Sequence, residues 1–259
     1  MNKQANWLID LGNTRLKWAR ADSIAFDELA SGKTHALAHA EPADASALEK
    51  AFAAIRAGDH AWIASVASPT LGAAVEAALQ RRGATVTRAT TQSTCAGVRI
   101  AYAHPSRLGV DRFLALLAAH ARGQGASLIV SVGTALTIDL LDADGAHHGG
   151  LIAPSPTLMR EVLSQRAPHL PATGGEVVDF ADDTVDALAS GAILSARALI
   201  ARSLRAARRK LDATPTLLIA GGGADALCAG WRVRGERMPD LVLRGLHVYA
   251  HAASKSARR

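Results

Sequence analysis

The sequence predicts an α/β protein built from two related halves. Short apolar segments of strand length alternate with helical segments along most of the 259 residues, a rhythm typical of α/β folds. A strand, a tight turn and a second strand occur at 10–17, and the same arrangement returns at 131–139. An internal duplication is the economical explanation, and we place the halves at residues 1–122 and 123–259.

The first half begins as an antiparallel meander, because a Gly-Asn turn separates two short apolar segments. Alternating helices and strands then follow. The predicted elements are strands at 7–11, 16–21 and 23–29, a helix at 47–57, a strand at 61–66, a helix at 69–82, a strand at 85–88 and a helix after Gly109.

The second half repeats this order. Residues 8–14 (Leu-Ile-Asp-Leu-Gly-Asn-Thr) align with residues 129–135 (Ile-Val-Ser-Val-Gly-Thr-Ala), each at the start of a strand-turn-strand unit. The predicted elements are strands at 128–132, 136–141 and 147–152, helices at 155–166 and 183–209, a strand at 216–220, a Gly-rich turn and a last helix at 244–252. Two such halves would enclose a cleft, with one loop from each half at its edge.

Composition and charge exclude several classes of protein. The longest apolar stretches are strand-length, whereas a membrane helix needs roughly 20 apolar residues, and the first residues lack the pattern of a signal peptide. We expect no membrane span and a cytoplasmic location. The net charge of +6 suits nucleic acid or anionic substrates. Its densest clusters, 202–210 and 255–259, have few aromatic neighbours to stack bases, so nucleic acid is not expected. Cys95 and Cys228 suggest buried thiols and no disulfide.

The first loop carries groups that suit a phosphate. Gly12 lets an anion approach the backbone, Asn13 and Thr14 offer donors, Lys17 adds a cation, and Asp10 is a candidate Mg²⁺ ligand. A hairpin turn containing Asn is the ordinary alternative for one such loop. The recurrence of the loop in the second half favours phosphate binding.

The second loop offers Gly133 and Thr134 for the same purpose, with Thr137 and Asp139 on the outgoing strand. The alternation of a strand leaves open whether Asp139 faces a cleft or solvent. The run 221–223 (Gly-Gly-Gly) is a third place where backbone can lie against a nucleotide, although it lacks the later glycine of a dinucleotide fingerprint. Residues 27–34 approximate a P-loop but carry aspartate at its first glycine, so we exclude one there.

A set of motifs in fixed order over nearly the whole chain resembles type III pantothenate kinases. They are Asp10-Leu-Gly-Asn-Thr14 with Lys17, Tyr102 ahead of Leu108-Gly-Val-Asp-Arg112, Gly133-Thr-Ala135, Gly149-Gly-Leu-Ile-Ala-Pro154, and Thr184 ahead of Ser190-Gly191. The resemblance implies the acetate and sugar kinase, Hsp70 and actin fold: two ribonuclease-H-like halves of mixed sheets flanked by helices. It also implies ATP-dependent phosphorylation of pantothenate to 4'-phosphopantothenate, the first step of coenzyme A biosynthesis.

The same resemblance assigns roles to individual residues. It implies Asp111 as general base, while Arg112 would pair with either the substrate carboxylate or the transferring phosphoryl group. The implied ATP contacts are Asp10, Leu11, Gly12, Asn13, Thr14, Arg15, Leu16, Lys17 and Thr134, with Mg²⁺ at Asp10. The implied pantothenate contacts are Tyr102, Gly109, Val110, Asp111, Arg112 and Thr184. Without the resemblance, Asp111 and Arg112 are an ordinary helix start with a solvated arginine, and Thr184 is a helix N-cap.

The sequence departs from the family pattern at Ser131, where the family usually carries an aspartate that looks like the ligand of K⁺ or NH₄⁺. A neutral hydroxyl binds such a cation less well than a carboxylate does, so a monovalent cation site is doubtful here and Asp139 is a weak substitute. Ser155 stands where the family commonly has glycine, and it is a suitable helix cap.

Two other functions and the assembly state stay open at this point. A sugar kinase of the same superfamily fits the duplicated loops but leaves Tyr102 and 109–112 unexplained. A transcriptional accessory factor fits the basic charge. The resemblance implies a homodimer, and the Ala-rich helix at 183–209 either supplies an interface or packs within its own chain.

Overall fold

A computed structural model describes residues 5–24, 34–39 and 44–256. The chain forms two compact units: the first contains Met1–Gly123 together with Asp240–Arg259, and the second contains Gln124–Pro239. The first junction between the units follows Gly123, and Asp240–Arg259 groups with the first unit and not with the sequence that precedes it.

The first unit is built on a five-stranded mixed sheet. Its strands are β1 (Asn6–Leu11), β2 (Arg15–Arg20), β3 (His35–Ala38), β4 (His60–Ser65) and β5 (Thr85–Arg88). Their order across the sheet is β3-β2-β1-β4-β5. The first three strands are antiparallel neighbours, whereas β1, β4 and β5 run parallel. A two-stranded hairpin, β6 (Thr94–Cys95) and β7 (Val98–Arg99), lies outside this sheet.

Helices cover both faces of this sheet. One face packs against α1 (Ala45–Ala51) and α2 (Pro69–Arg81) in a core that includes Ile9, Leu11 and Leu16. Asp10 and Lys17 point to the opposite face, since side chains alternate along a strand and the two residues are cross-strand partners. That face carries α3 (Val110–Ala121) and the last helix of the chain, Leu241–Ser256.

The last helix crosses α3 at close range. A Cβ added to Gly245 would overlap the main-chain carbonyl of Leu114, so only glycine allows the two backbones to come this near. Tyr249, one turn further along, makes edge-to-face contacts with Trp62 and Phe113 at centroid distances of 6.1 and 6.2 Å. These contacts hold the end of the chain against the first unit.

The second unit repeats the sheet of the first. Its strands are β8 (Ser127–Val132), β9 (Ala135–Leu141), β10 (His147–Pro154), β11 (Thr216–Ala220) and β12 (Glu236–Arg237), in the order β10-β9-β8-β11-β12. Antiparallel and parallel pairings fall at the same places as in the first sheet. Two mixed sheets of identical strand order, flanked by helices, confirm the predicted duplicated α/β fold.

The helices of the second unit are α4 (Pro156–Arg166), α5 (Thr184–Leu211) and α6 (Ala224–Cys228), which makes the last helix of the chain α7. Within the described residues, α5 is the one helix long and apolar enough to cross a membrane by length and composition, and 33% of that apolar window is buried. Ala196, Ile200 and Ala207 of α5 belong to the core of the second unit. This side of α5 therefore packs within its own chain.

Several predicted elements need correction. The first helix ends at Ala51, not at residue 57, because Phe52 and Ile55 leave the helical path and become fully buried. Residues 21–23 form a 3₁₀ turn, while the rest of the strand predicted at 23–29, and the approximate P-loop up to residue 33, lie outside the described residues. Cys95 and Cys228 are half-buried free thiols instead of fully buried ones.

Asp59 connects the start of β1 to the loop before β4. Its carboxylate accepts hydrogen bonds from the backbone of Ala5 and Arg56 and from Trp7 Nε1, each at 3.0 Å, and the residue is 8% exposed. Burial by itself raises the pKa of Asp59, but these three donors outweigh it and hold the pKa below its usual value.

We expect Asp59→Ala to lower the free energy of unfolding by about 2 kcal/mol at pH 7, because three donors lose a buried partner. The pKa of Asp59 is depressed in the folded state, so its contribution is present above the unfolded carboxyl pKa of about 4 and is lost as pH falls further. Urea unfolding followed by tryptophan fluorescence at pH 7 and pH 3 measures this. A parent-to-variant difference that persists undiminished at pH 3 would contradict it, and Asp22→Ala, an exposed partner of Arg20, serves as control.

Candidate functional site

The first loop, residues 10–17, is a hairpin turn with an open tip. Gly12 N donates to Arg15 O at 3.0 Å, and Asn13, Thr14 and Arg15 are exposed. Leu11 and Leu16, which were expected to contact ATP, have fully buried side chains in the core. Those two residues therefore offer only backbone groups to a ligand, while the exposed tip offers amides and side chains.

His39 supports this loop from the neighbouring strand. Its Nε2 lies 2.9 Å from Gly12 O, and its backbone N–H donates to Thr14 O at 3.3 Å. Sequence reasoning missed His39 because it placed the third strand before residue 30, whereas β3 lies at His35–Ala38. The two contacts fix the loop at both sides of Asn13.

Asp10 lies in a group of charges at the carboxyl end of β1. Burial raises the pKa of Asp10 to about 7; Lys17 opposes this shift, and the carboxylates of Asp111 and Asp240 add to it. The charge of Asp111 is felt by Asp10, so the first turn of α3 lies on the side of β1 that bears Asp10. Asp240, which sequence reasoning did not select, joins them from the residue that precedes α7.

Asp111 occupies the first turn of α3, where the helix dipole favours a carboxylate. Gly109 is the N-cap residue, and a Cβ added to it would lie 2.6 Å from Asp111 Oδ1. Gly109 therefore leaves room for the Asp111 carboxylate beside the helix start. This is a physical reason for the Gly-Val-Asp order of residues 109–111.

Arg112 is buried, with 6% of its surface exposed, and is not the solvated arginine of an ordinary helix start. Its Nη1 donates to Tyr102 Oη at 3.3 Å, and its guanidinium carbon lies 5.9 Å from the centroid of the Tyr102 ring. Stacking and the hydrogen bond fix the guanidinium plane. The sequence-predicted pair Tyr102 and Arg112 is thus brought together.

The second loop is also a hairpin turn, but it is one residue shorter than the first, since Val132 pairs with Leu136 whereas Leu11 pairs with Leu16. Gly133 N donates to Ala135 O at 2.9 Å, and Thr134 is exposed at the tip. Gly221 and Gly223 pack against Val132, where a Cβ on either glycine would overlap that residue. Close packing against the loop therefore explains the two glycines, which had been considered as a third place for a nucleotide.

The second loop differs from the first in charge. Ser131, the counterpart of Asp10, is half-buried and pairs across the strands with Thr137. Asp139 faces neither a cleft nor solvent: it is buried, and its Oδ1 lies 3.0 Å from His147 Nε2. The carboxylate considered as a substitute cation ligand is thus occupied by a side-chain contact.

Two helix starts of the second unit were also predicted. Ser155 is the N-cap of α4, with Oγ accepting from Leu158 N at 3.2 Å, which confirms its role as a cap. Thr184 is not an N-cap: Asp183 caps α5 by accepting from Asp186 N, and Thr184 is the first helical residue, with an exposed side chain.

Comparison with known proteins assigns the family. The family model described as type III pantothenate kinase matches residues 6–206. A type III pantothenate kinase from Xanthomonas axonopodis pv. citri is 50% identical over 257 residues, covering 96% of this chain and 99% of the relative. One from Stenotrophomonas maltophilia is 50% identical over 246 residues, covering 95% and 97%. The chain belongs to the type III pantothenate kinase family.

Solved structures support the fold of this type III pantothenate kinase family member. A protein from Campylobacter jejuni described as a Baf family transcriptional activator aligns with a TM-score of 0.61 at 19% identity, covering 98% of this chain and 100% of that one. A protein from Sinorhizobium meliloti described as a 2-dehydro-3-deoxygalactonokinase aligns with a TM-score of 0.52 at 16% identity, covering 96% and 99%. At these identities the likeness concerns the fold alone.

A kinase of this family implies ATP and a divalent metal. Across the described residues no group of three or more His, Cys, Asp or Glu side chains has the arrangement of a metal site. Mg²⁺ in kinases needs fewer protein ligands, since one or two carboxylates act together with substrate phosphates and water. Asp10, half-buried at the start of the first loop, fits that requirement, and a bound cation would favour its ionised form over the protonated one.

We expect Gly109→Ala to lower kinase turnover by about 10- to 100-fold. The new methyl group would displace the carboxylate of Asp111, which the sequence predicts as general base, and small displacements of such a group are costly. Steady-state kinetics together with thermal unfolding measures this. Unchanged turnover in a folded variant would contradict it. If turnover and unfolding temperature fell together, the change would be one of stability and not of Asp111 position.

Proposed function

We propose that this chain transfers the γ-phosphoryl group of ATP to the primary hydroxyl of pantothenate, giving 4'-phosphopantothenate and ADP, the first step of coenzyme A biosynthesis. The observation that supports the proposal is Asp111 at the start of α3, close enough to Asp10 to raise its pKa, in a chain that is 50% identical to curated type III pantothenate kinases. A sugar kinase has no comparable support, since it leaves the Tyr102–Arg112 pair without a role.

Asp111 acts as general base in this proposal. A primary hydroxyl is a poor nucleophile until its proton is removed, and a carboxylate within hydrogen-bond reach accepts that proton as the new bond to phosphorus forms. The bond between the γ-phosphorus and the bridging oxygen breaks at the same time, and ADP leaves with its electron pair. Gly109 leaves the space that the carboxylate needs.

Arg112 and Tyr102 bind the acceptor. A guanidinium fixed by stacking offers two parallel donors, which match a carboxylate, and pantothenate carries one. The same donors match an equatorial edge of the transferring phosphoryl group, so kinetics of an Arg112 variant must distinguish the two roles. Gly109, Val110 and Thr184 complete the proposed acceptor contacts.

The nucleotide is bound chiefly by backbone groups and one lysine. The exposed tip of the first loop, Asn13 to Arg15, supplies amide donors, and Lys17 supplies positive charge. Thr134, at the tip of the second loop, supplies an amide and a hydroxyl donor. Asp10 would hold Mg²⁺, which when bound offsets the negative charge of the phosphates. We propose a cytoplasmic enzyme.

We further propose a homodimer, on the basis of exposed apolar side chains in the second unit. Ile152 is 68% exposed, and Val162, Leu163 and Val185 are also exposed. Near them, α4 and α5 border a largely apolar groove of about 580 Å³. An apolar patch of this kind on a folded unit is typical of a surface that is covered in an assembly.

We expect purified protein to release ADP with pantothenate and MgATP, and Asp111→Asn to lower kcat by about 10²- to 10⁴-fold, because the amide cannot accept the proton. A coupled ADP-release assay measures both, with a panel of sugars as competing acceptors. Asp225→Asn is the matched control, since it makes the same change in the first turn of another helix at an exposed position. Turnover with a sugar alone, or an Asp111→Asn variant as active as the parent, would refute the proposal.

We also expect turnover to change by less than about twofold when K⁺ is replaced by a large organic cation, because Ser131 lacks the carboxylate that a monovalent ion needs and Asp139 is paired with His147. Ser131→Asp should introduce K⁺ stimulation, while Ser131→Asn should not. A parent enzyme that requires K⁺ would contradict this expectation.

A further inference from the structure

Asp240 is a partly buried carboxylate beside the first loop that the proposed mechanism does not use. It immediately precedes α7, its carbonyl oxygen accepts from Arg244 N at 3.0 Å, and its side chain is 13% exposed. It lies beyond residues 6–206, the part of the chain that the family model matches. Its position in the first unit follows from the return of α7 to that unit.

The contacts of Asp240 join three separate parts of the sequence. Its Oδ1 lies 3.7 Å from Lys17 Nζ on β2, and its Oδ2 accepts a hydrogen bond of 3.0 Å from Thr34 Oγ1, next to β3. The Lys17 side chain is 22% exposed, so the ion pair is only partly open to solvent. A lysine has four rotatable bonds, and a fixed carboxylate beside its ammonium group restricts the positions it can take.

We propose that Asp240 is a positioning residue, which holds the Lys17 ammonium group at the first loop so that it meets the phosphates of the nucleotide. This inference rests on the proposed function of Lys17 as an ATP contact. Thr34 in turn fixes the Asp240 carboxylate through the hydrogen bond to its second oxygen. The end of the chain thus contributes to nucleotide binding without touching the nucleotide.

The charge of Asp240 can affect nucleotide binding in two opposite ways. A carboxylate near the loop repels the polyphosphate of ATP, so neutralising it would tighten nucleotide binding if its field were all that mattered. If its main effect is to position Lys17, neutralising it weakens binding instead. The two possibilities predict opposite changes in the KM for MgATP.

The decisive experiment is a double-mutant cycle with Asp240→Asn and Lys17→Met. We expect Asp240→Asn to raise the KM for MgATP by about three- to tenfold, with a smaller change in kcat. Asp240→Glu, which keeps the charge, should have a smaller effect. In the Lys17→Met background, Asp240→Asn should change the KM almost no further. Asparagine keeps the size and an acceptor oxygen of the native side chain, and thermal unfolding verifies that the variants fold. Asp22→Asn, in an exposed ion pair of the same unit, is the control.

The inference would be overturned if Asp240→Asn left the KM for MgATP unchanged or lowered it. It would also be overturned if the effects of Asp240→Asn and Lys17→Met simply added. Calorimetric titration of the same variants with MgATP alone separates this failure from failure of the proposed function. A parent that binds MgATP but does not phosphorylate pantothenate refutes the function and leaves the Asp240–Lys17 coupling measurable by binding.

Discussion

The close crossing of α3 and α7 is the packing constraint on which the first unit depends. Gly245 lets the backbone of α7 approach the Leu114 carbonyl, and Tyr249 then packs its ring against Trp62 and Phe113. Both helices lie on the sheet face that bears Asp10 and Lys17. Their N-terminal ends bring Asp111 and Asp240 to the carboxyl end of β1, so helix packing, not the loop itself, determines which charges surround the loop.

Lys17 faces several carboxylates in this region. Asp10, Asp111 and Asp240 all act on the same small region, and burial together with the other two carboxylates raises the pKa of Asp10 to about 7 despite Lys17. Such a concentration of carboxylates around one lysine is costly in the absence of a metal ion. A divalent ion, which the kinase family implies, would offset that repulsion if it bound here.

The sequence was sufficient for the local features and insufficient for the long-range ones. Alternating apolar positions around Gly12 and Gly133 predicted both hairpins, and the order of motifs predicted the family, since these signals are contained within short segments. His39, Asp240 and the His147 partner of Asp139 were not predicted. Each depends on which distant element packs beside a loop, and for Asp240 that is a helix more than 200 residues away from β1.

The two loops show how the two copies of a duplicated fold diverge. Both are hairpins in which a glycine N–H closes the turn, but Gly12 donates to Arg15 O, three residues on, whereas Gly133 donates to Ala135 O, two residues on. Their charges have diverged: the first loop retains Asp10 opposite Lys17, whereas the second has Ser131 opposite Thr137 and an Asp139 held by His147. The group of acidic side chains therefore belongs to the first unit, where Asp111 at the start of α3 and Asp240 just before α7 join Asp10.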